Sequence, residues 1–293
     1  MRRILAFLFL LLIVTGCEKA VDFDLEEAEP KLVVEATIEN GQAPVVVLSR
    51  SSNFFAQISP ELLAQSFVRN AEVYVSNGTL THRLKEFTVP TGNGYSLTFY
   101  TNDPAQPATA FVGALKTGYM LKIIADGNEY TAQTTIPDTT RRLDSIWWKP
   151  VPNAVDDEEI SLYIRATDRP GFGDYIRYFT KKNSGTYLPP FTSVFDDFII
   201  DGSTYELVVE PGFNRNIERN DEDYYFKRGD TISLKLANID RATYDFWRTM
   251  EYGYNSVGNP FSTPVKVLGN ISGGALGYFG GYGVQYKTVV VPK

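Results

Sequence analysis

The sequence holds one cysteine, Cys17, and one histidine, His82. A single thiol allows no disulfide within the chain, so packing alone must stabilise the fold. One His and one Cys also fall short of the four ligands of a His/Cys zinc site. A Ser-His-Asp triad would have to use His82, which alternates with Leu80 and Leu84 and reads as a core-edge histidine. Clustered Lys and Arg are missing as well. The formal net charge is −7 and the pI near 5.0, whereas neutralising phosphates takes concentrated positive charge, so no nucleic-acid partner is expected. The apolar run Ile4 to Val14 would span only about 16 Å as a helix, against roughly 30 Å of hydrocarbon, too short for a permanent membrane span.

What is present at the N-terminus reads as an export signal. Met1-Arg2-Arg3 supplies charge, Ile4 to Val14 the apolar region, and Val14-Thr15-Gly16-Cys17 a lipobox in which Cys17 receives the lipid. Residues 1–16 are therefore expected to be a lipoprotein signal peptide, and the lipid on Cys17 a membrane anchor. Residues 17–30 carry six acidic groups and no strand pattern, as an acidic tether would. Its reach is up to roughly 40 Å when extended.

From Lys31 the pattern becomes period two, with Leu32, Val34, Ala36 and Ile38 on one side of a strand. Asn77-Gly78 predicts a two-residue hairpin loop with Val75 opposite Leu80 and Val73 opposite His82. Asp126-Gly127 predicts a second, with Ile123 opposite Tyr130 and Leu121 opposite Ala132. Ser59 followed by Pro60-Glu61-Leu62-Leu63-Ala64 predicts a short capped helix. Residues 31–138 are expected to form an immunoglobulin-like β-sandwich. Thr135-Ile136-Pro137-Asp138 ends that pattern, because proline cannot donate to a ladder. Residues 139–293 are expected to form a second β-rich domain of sandwich type, with long loops. It should hold one helix near 240–253, capped by Asp240 and packing Tyr244, Trp247, Met250 or Glu251, and Tyr254. The fold class is thus mainly β.

Candidates for chemistry are few. Carboxylates gather at Asp156-Asp157-Glu158-Glu159, Asp196-Asp197 and Asp221-Glu222-Asp223, and a glycoside hydrolase needs two of them flanking a sugar. Asp221 and Asp223, with nearby Asn214, Asn216 and Asn220, loosely offer alternating oxygen ligands for calcium. No other cofactor is indicated. Residues 269–283 hold seven glycines among fifteen residues, but without Gly-Lys-Ser/Thr they do not make a phosphate loop. Tyr278, Phe279 and Tyr282 supply flat faces there, either packed inward or offered to a partner. Trp147 and Trp148 are further candidates for ligand or partner contact.

Several late motifs carry a family resemblance. They are Tyr225-Phe226 before Gly229-Asp230, Tyr244-Asp245-Phe246-Trp247-Arg248, Gly258-Asn259-Pro260-Phe261-Ser262, and Gly273-Gly274-Ala275-Leu276-Gly277-Tyr278-Phe279-Gly280-Gly281-Tyr282. Together with Cys17-Glu18-Lys19 and Thr134-Thr135-Ile136-Pro137, the chain resembles a Bacteroidota outer-membrane lipoprotein family of unknown function (DUF4249-type). The resemblance implies an outer-membrane, lipid-anchored and outward-facing protein without established catalytic residues, whose relatives are often encoded beside TonB-dependent transporters. The expected role is a non-enzymatic binding or docking accessory to such a transporter in nutrient uptake. A glycan-binding or adhesin-like module, or a carboxylate-based hydrolase, are the alternatives.

Overall fold

A computed structural model describes residues 29–293 except 53–58, 92–95, 155, 172, 216, 218–223, 260 and 264. Cys17, the signal region and the calcium candidates Asp221 and Asp223 lie outside the described residues. The first half of the chain contributes β1 (Leu32–Glu39), β2 (Val45–Arg50), α1 (Pro60–Ser66), β3 (Glu72–Ser76), β4 (Thr81–Arg83), β5 (Lys85–Pro90), β6 (Ser96–Thr101), β7 (Thr117–Ala125) and β8 (Asn128–Ile136). The second half contributes β9 (Arg142–Pro150), β10 (Glu159–Thr167), β11 (Tyr175–Lys182), β12 (Val194–Asp196), β13 (Thr204–Val209), β14 (Phe226–Lys227), β15 (Thr231–Ile239), α2 (Arg241–Asn255) and β16 (Leu276–Val290).

One eight-stranded sheet, in the order β12-β11-β15-β16-β1-β2-β6-β5, runs through the whole protein. Its centre is a parallel pair, β1 on β16, with Val34 beside Gly277 and Ile38 beside Gly281. The two halves that Pro137 divides in sequence therefore share a sheet. Two smaller sheets pack side by side on one face of it. The sheet β4-β3-β7-β8 covers the β1 side, and a sheet of β9, β10, β13 and β14 covers the β15 side. The result is mainly β and sandwich-like, with open sheets.

The alternation that predicts the strands also builds the cores. Leu32, Val34, Ala36 and Ile38 point into a first core with Val73, Val75, Leu121, Ile123 and Phe279, while Glu35 between them meets solvent. Ile160, Leu162 and Ile164 meet Ile232, Leu234 and Leu236 in a second core. Full burial of each such side chain contributes about 1.5–3 kcal/mol. On the opposite face of the long sheet, α2 packs Phe246 against Tyr278, Tyr282 and Val284 in a third cluster.

The strand β16 begins well inside the glycine-rich segment, so residues 276–283 are strand and not loop. Its glycines answer to crowding on both faces. A Cβ at Gly281 would lie 2.5 Å from the Thr135 carbonyl oxygen of β8, and one at Gly280, on the other face, would lie 3.0 Å from the Thr243 methyl of α2.

Turn chemistry settles the two hairpins differently. Asp126 and Gly127 both adopt positive φ, 51° and 77°, and the predicted register holds, with Ile123 opposite Tyr130 and Leu121 opposite Ala132. At the earlier hairpin only Gly78 does so. Asn77 instead uses its side-chain oxygen to accept from the N–H groups of Thr79 (3.0 Å) and Leu80 (2.8 Å), which closes a wider loop. Val75 then pairs with His82, and not with Leu80. The slip is two residues, so each side chain keeps its face.

The helix α2 is capped as predicted, Asp240 accepting from the Thr243 N–H at 2.8 Å. Its buried face is Thr243, Phe246, Thr249 and Glu251, with Trp247 partly buried, whereas Met250 and Tyr254 are exposed. Phe246 takes the central place because its ring stacks on Tyr278 at 4.3 Å between centroids.

Candidate functional site

The second sandwich is open along one edge. The strand β12 ends the long sheet and β13 ends the smaller sheet above it, and among the described residues neither has a neighbour beyond it. Along β13 the run Leu207-Val208-Val209 breaks the alternation of a half-buried strand, and Leu207 and Val208 are exposed. Leu207 lies beside Ile164 of β10, so its side chain belongs to the inner face but meets water. Phe195 of β12, opposite Ile176, does the same from the facing sheet.

Between these edges lies a cleft of about 500 Å³. Ile164, Ala166, Ile176, Leu234 and Leu236 form its floor, and Phe195, Ile199, Leu207 and Val208 its rim. Polar groups are sparse. Burial pushes the Tyr205 hydroxyl up to about 12, and it does the same to Tyr244, whose hydroxyl donates to Asp196 at 3.1 Å. At the inner end Arg141 is fully buried and pairs with Asp168, Nε to Oδ1 at 3.3 Å. The two terminal nitrogens of Arg141 and Oδ2 of Asp168 make no hydrogen bond. An apolar, partly enclosed space with few polar groups is the usual form of a site for a small apolar molecule or for an apolar side chain of a partner.

The aromatic candidates separate into different environments. Of the two environments open to Tyr278, Phe279 and Tyr282, packed inward or offered to a partner, the structure shows the first, since all three are buried. Phe279 fills the first core, because parallel pairing of β16 with β1 turns it to the face of Ala36. Tyr278 and Tyr282 turn toward α2. Their hydroxyls lie 3.2 Å apart, and the Trp247 indole N–H donates to Tyr282 at 3.1 Å. Burial raises the Tyr278 hydroxyl well above its ordinary range. Beside them is a more open depression in which Arg177 sits 3.3 Å over the Trp247 ring and Lys235 pairs with Glu39.

Trp148 points inward against the second core, with Arg228 over its ring at 5.2 Å. Trp147 points to the outer face, half-buried, and stacks on Tyr163 at 5.8 Å. The residues that sequence reading passed over as site candidates are the apolar ones of the cleft. Their available signal was the unbroken apolar run in β13 and the apolar Phe198-Ile199-Ile200 set between Asp197 and Asp201.

Among the described residues no helix is long and apolar enough to cross a membrane. Fold and cleft together define a β-sandwich protein with two small sheets on one shared long sheet and an apolar opening at its edge. The chain matches the family described as "Domain of unknown function (DUF4249)" over residues 18–288, and it belongs to that family. Comparison with curated proteins gave no match.

Proposed function

We propose that this is a lipid-anchored outer-membrane protein, non-enzymatic and facing outward, that serves a TonB-dependent transporter in nutrient uptake. The observation that carries the reading is the apolar cleft between β12 and β13, which offers a place to hold an apolar nutrient molecule before transfer. The lipobox at Cys17 and the acidic tether support the location, and the resemblance described above supports the transporter as partner. Crosslinking in intact cells followed by pull-down of the tagged protein tests the partnership: a β-barrel protein is the expected product, and recovery without any barrel protein would count against it. For the cleft itself, the apolar fluorophore N-phenyl-1-naphthylamine should bind and brighten. Leu207→Asp at the rim should weaken that binding about tenfold, the effect of losing roughly 1.4 kcal/mol of apolar contact. Unchanged binding would sink the cleft as the site.

The alternative of glycan binding rests on Trp147, whose stacking with Tyr163 forms an aromatic pair on the outer face of the smaller sheet. Glycan binding that is lost in Trp147→Ala but kept in Leu207→Asp would favour it over the cleft.

A further inference from the structure

Three aspartates from separate segments converge next to the inner end of the cleft. Asp168 follows β10, Asp174 precedes β11 and Asp197 follows β12, and each places a carboxylate oxygen within 4.8 Å of the other two. Asp168 and Asp197 are buried and Asp174 is half-buried. Their protein partners do not exhaust them. Asp197 Oδ2 accepts from the N–H groups of Gly173 (2.9 Å) and Asp174 (3.0 Å), and the Thr140 side chain bonds to Asp174. Asp168 Oδ1 accepts from Arg141 Nε. Its other oxygen, Oδ2, has no donor, on a side chain that is 0% exposed. An acceptor of that kind, sealed from water, calls for a ligand.

Charge leads to the same conclusion. Among the described residues Arg141 is the one cation paired within the cluster, and it faces three carboxylates. Arg169, which follows Asp168 in sequence, pairs instead with Asp138 at 3.5 Å. Three carboxylates and one guanidinium leave the cluster negative. A divalent cation would neutralise it.

We infer that Asp168, Asp174 and Asp197 bind a calcium ion. The donors are all hard oxygens close enough to share one ion at Ca–O distances of about 2.3–2.6 Å, and the burial of Asp168 and Asp197 leaves little room for the several waters that magnesium keeps. The ion would clasp Asp168 and Asp174 to the segment that begins at Asp197. Described residues on the two sides already touch, through Asp168 N–H to the Ser203 carbonyl (2.9 Å) and Gly171 N–H to Asp201 (2.6 Å) in the segment 197–203. That segment carries Ile199, 91% exposed at the rim of the cleft, and next to it in sequence Phe198, 79% exposed. Calcium would therefore fix how this apolar tip is presented. The site stands whether or not the cleft holds a nutrient.

Calorimetric titration of the chelator-treated full-length mature protein should show one calcium bound per chain, with magnesium binding more weakly. Calcium at about 1 mM should raise Tm by about 5 °C or more. Asp168→Asn and, as a variant at the less buried position, Asp174→Asn should each lose that rise, while Asp157→Asn, on an exposed turn, should keep it. Asp221→Asn with Asp223→Asn should also keep it. Absence of stoichiometric calcium binding by the wild-type protein would overturn the assignment. So would a preference for magnesium, binding that persists in both Asp168→Asn and Asp174→Asn, or binding lost only on changing Asp221 and Asp223.

Discussion

His82 lies fully enclosed in β4, and its two ring nitrogens are assigned by their partners. The Asp103 N–H donates to Nε2 at 2.9 Å, so Nε2 carries no proton and Nδ1 donates to the Thr109 hydroxyl at 2.8 Å. A second proton would set Nε2–H against the Asp103 N–H. Burial lowers the imidazole pKa, opposed only by the charge of Asp103. The sign of the pH effect follows. With the folded value below the unfolded one, the unfolded chain takes up the proton first, so the stability His82 contributes is complete above the unfolded pKa of about 6.5 and is lost as pH falls toward the folded value. Tm should therefore decline on acidification from about pH 7 to 5, and His82→Gln should decline less over the same interval. Equal slopes in the two proteins would refute this. Gly277 makes the opposite point about small side chains. Its φ is +99°, and a Cβ there would meet the Val34 carbonyl oxygen at 1.9 Å. Gly277→Ala should cost about 3 kcal/mol or more in urea unfolding. Alternation with Leu80 and Leu84 places His82 at the edge of the core, whereas it is fully buried beside Leu84 while Leu80 is exposed. The convergence of Asp168, Asp174 and Asp197 was not legible in the sequence, because it depends on how three separate connections fold back on one another.

At the scale of elements, Asp240 has two roles. One carboxylate oxygen caps α2, and the other accepts from the Thr134 hydroxyl (2.8 Å) and the Thr135 N–H (3.0 Å) of β8. Asp240→Ala should lose about 2 kcal/mol, and Asp240→Ser, which retains a capping oxygen, less; denaturant midpoints distinguish the two. Gly253 lies in the same helix with open space around it. Gly253→Ala should stabilise the protein by up to about 1 kcal/mol, since it removes backbone entropy from the unfolded chain. Helix caps and hairpin turns were readable from sequence because their chemistry is local. The edge position of β13 and the true start of β16 were not. Strand neighbours are chosen by long-range pairing, and glycines imposed by close packing look the same in sequence as glycines in a loop.

At the scale of the whole molecule, the parallel pair β1 and β16 ties the two ends of the described chain together. Residues 29–140 alone would leave one side of β1 without its partner and the first core without Phe279. Neither this fragment nor residues 141–293 should unfold cooperatively in urea by itself, and mixing them should restore near-ultraviolet circular dichroism. Independent cooperative folding of either piece would contradict the shared sheet. Strand patterning gave the mainly β class and both sandwich layers, but a boundary near Pro137 marks a turn in the chain and no break in the long sheet. The same pairing also sets a schedule. Roughly 240 residues separate β1 from its partner in β16. At synthesis rates of about 5–20 residues per second, β1 waits on the order of 10–50 s before β16 exists, with a strand edge open to any other chain. The first of the described strands to leave the ribosome is thus among the last to be locked in place, and a chaperone that shields it has most to do in that interval.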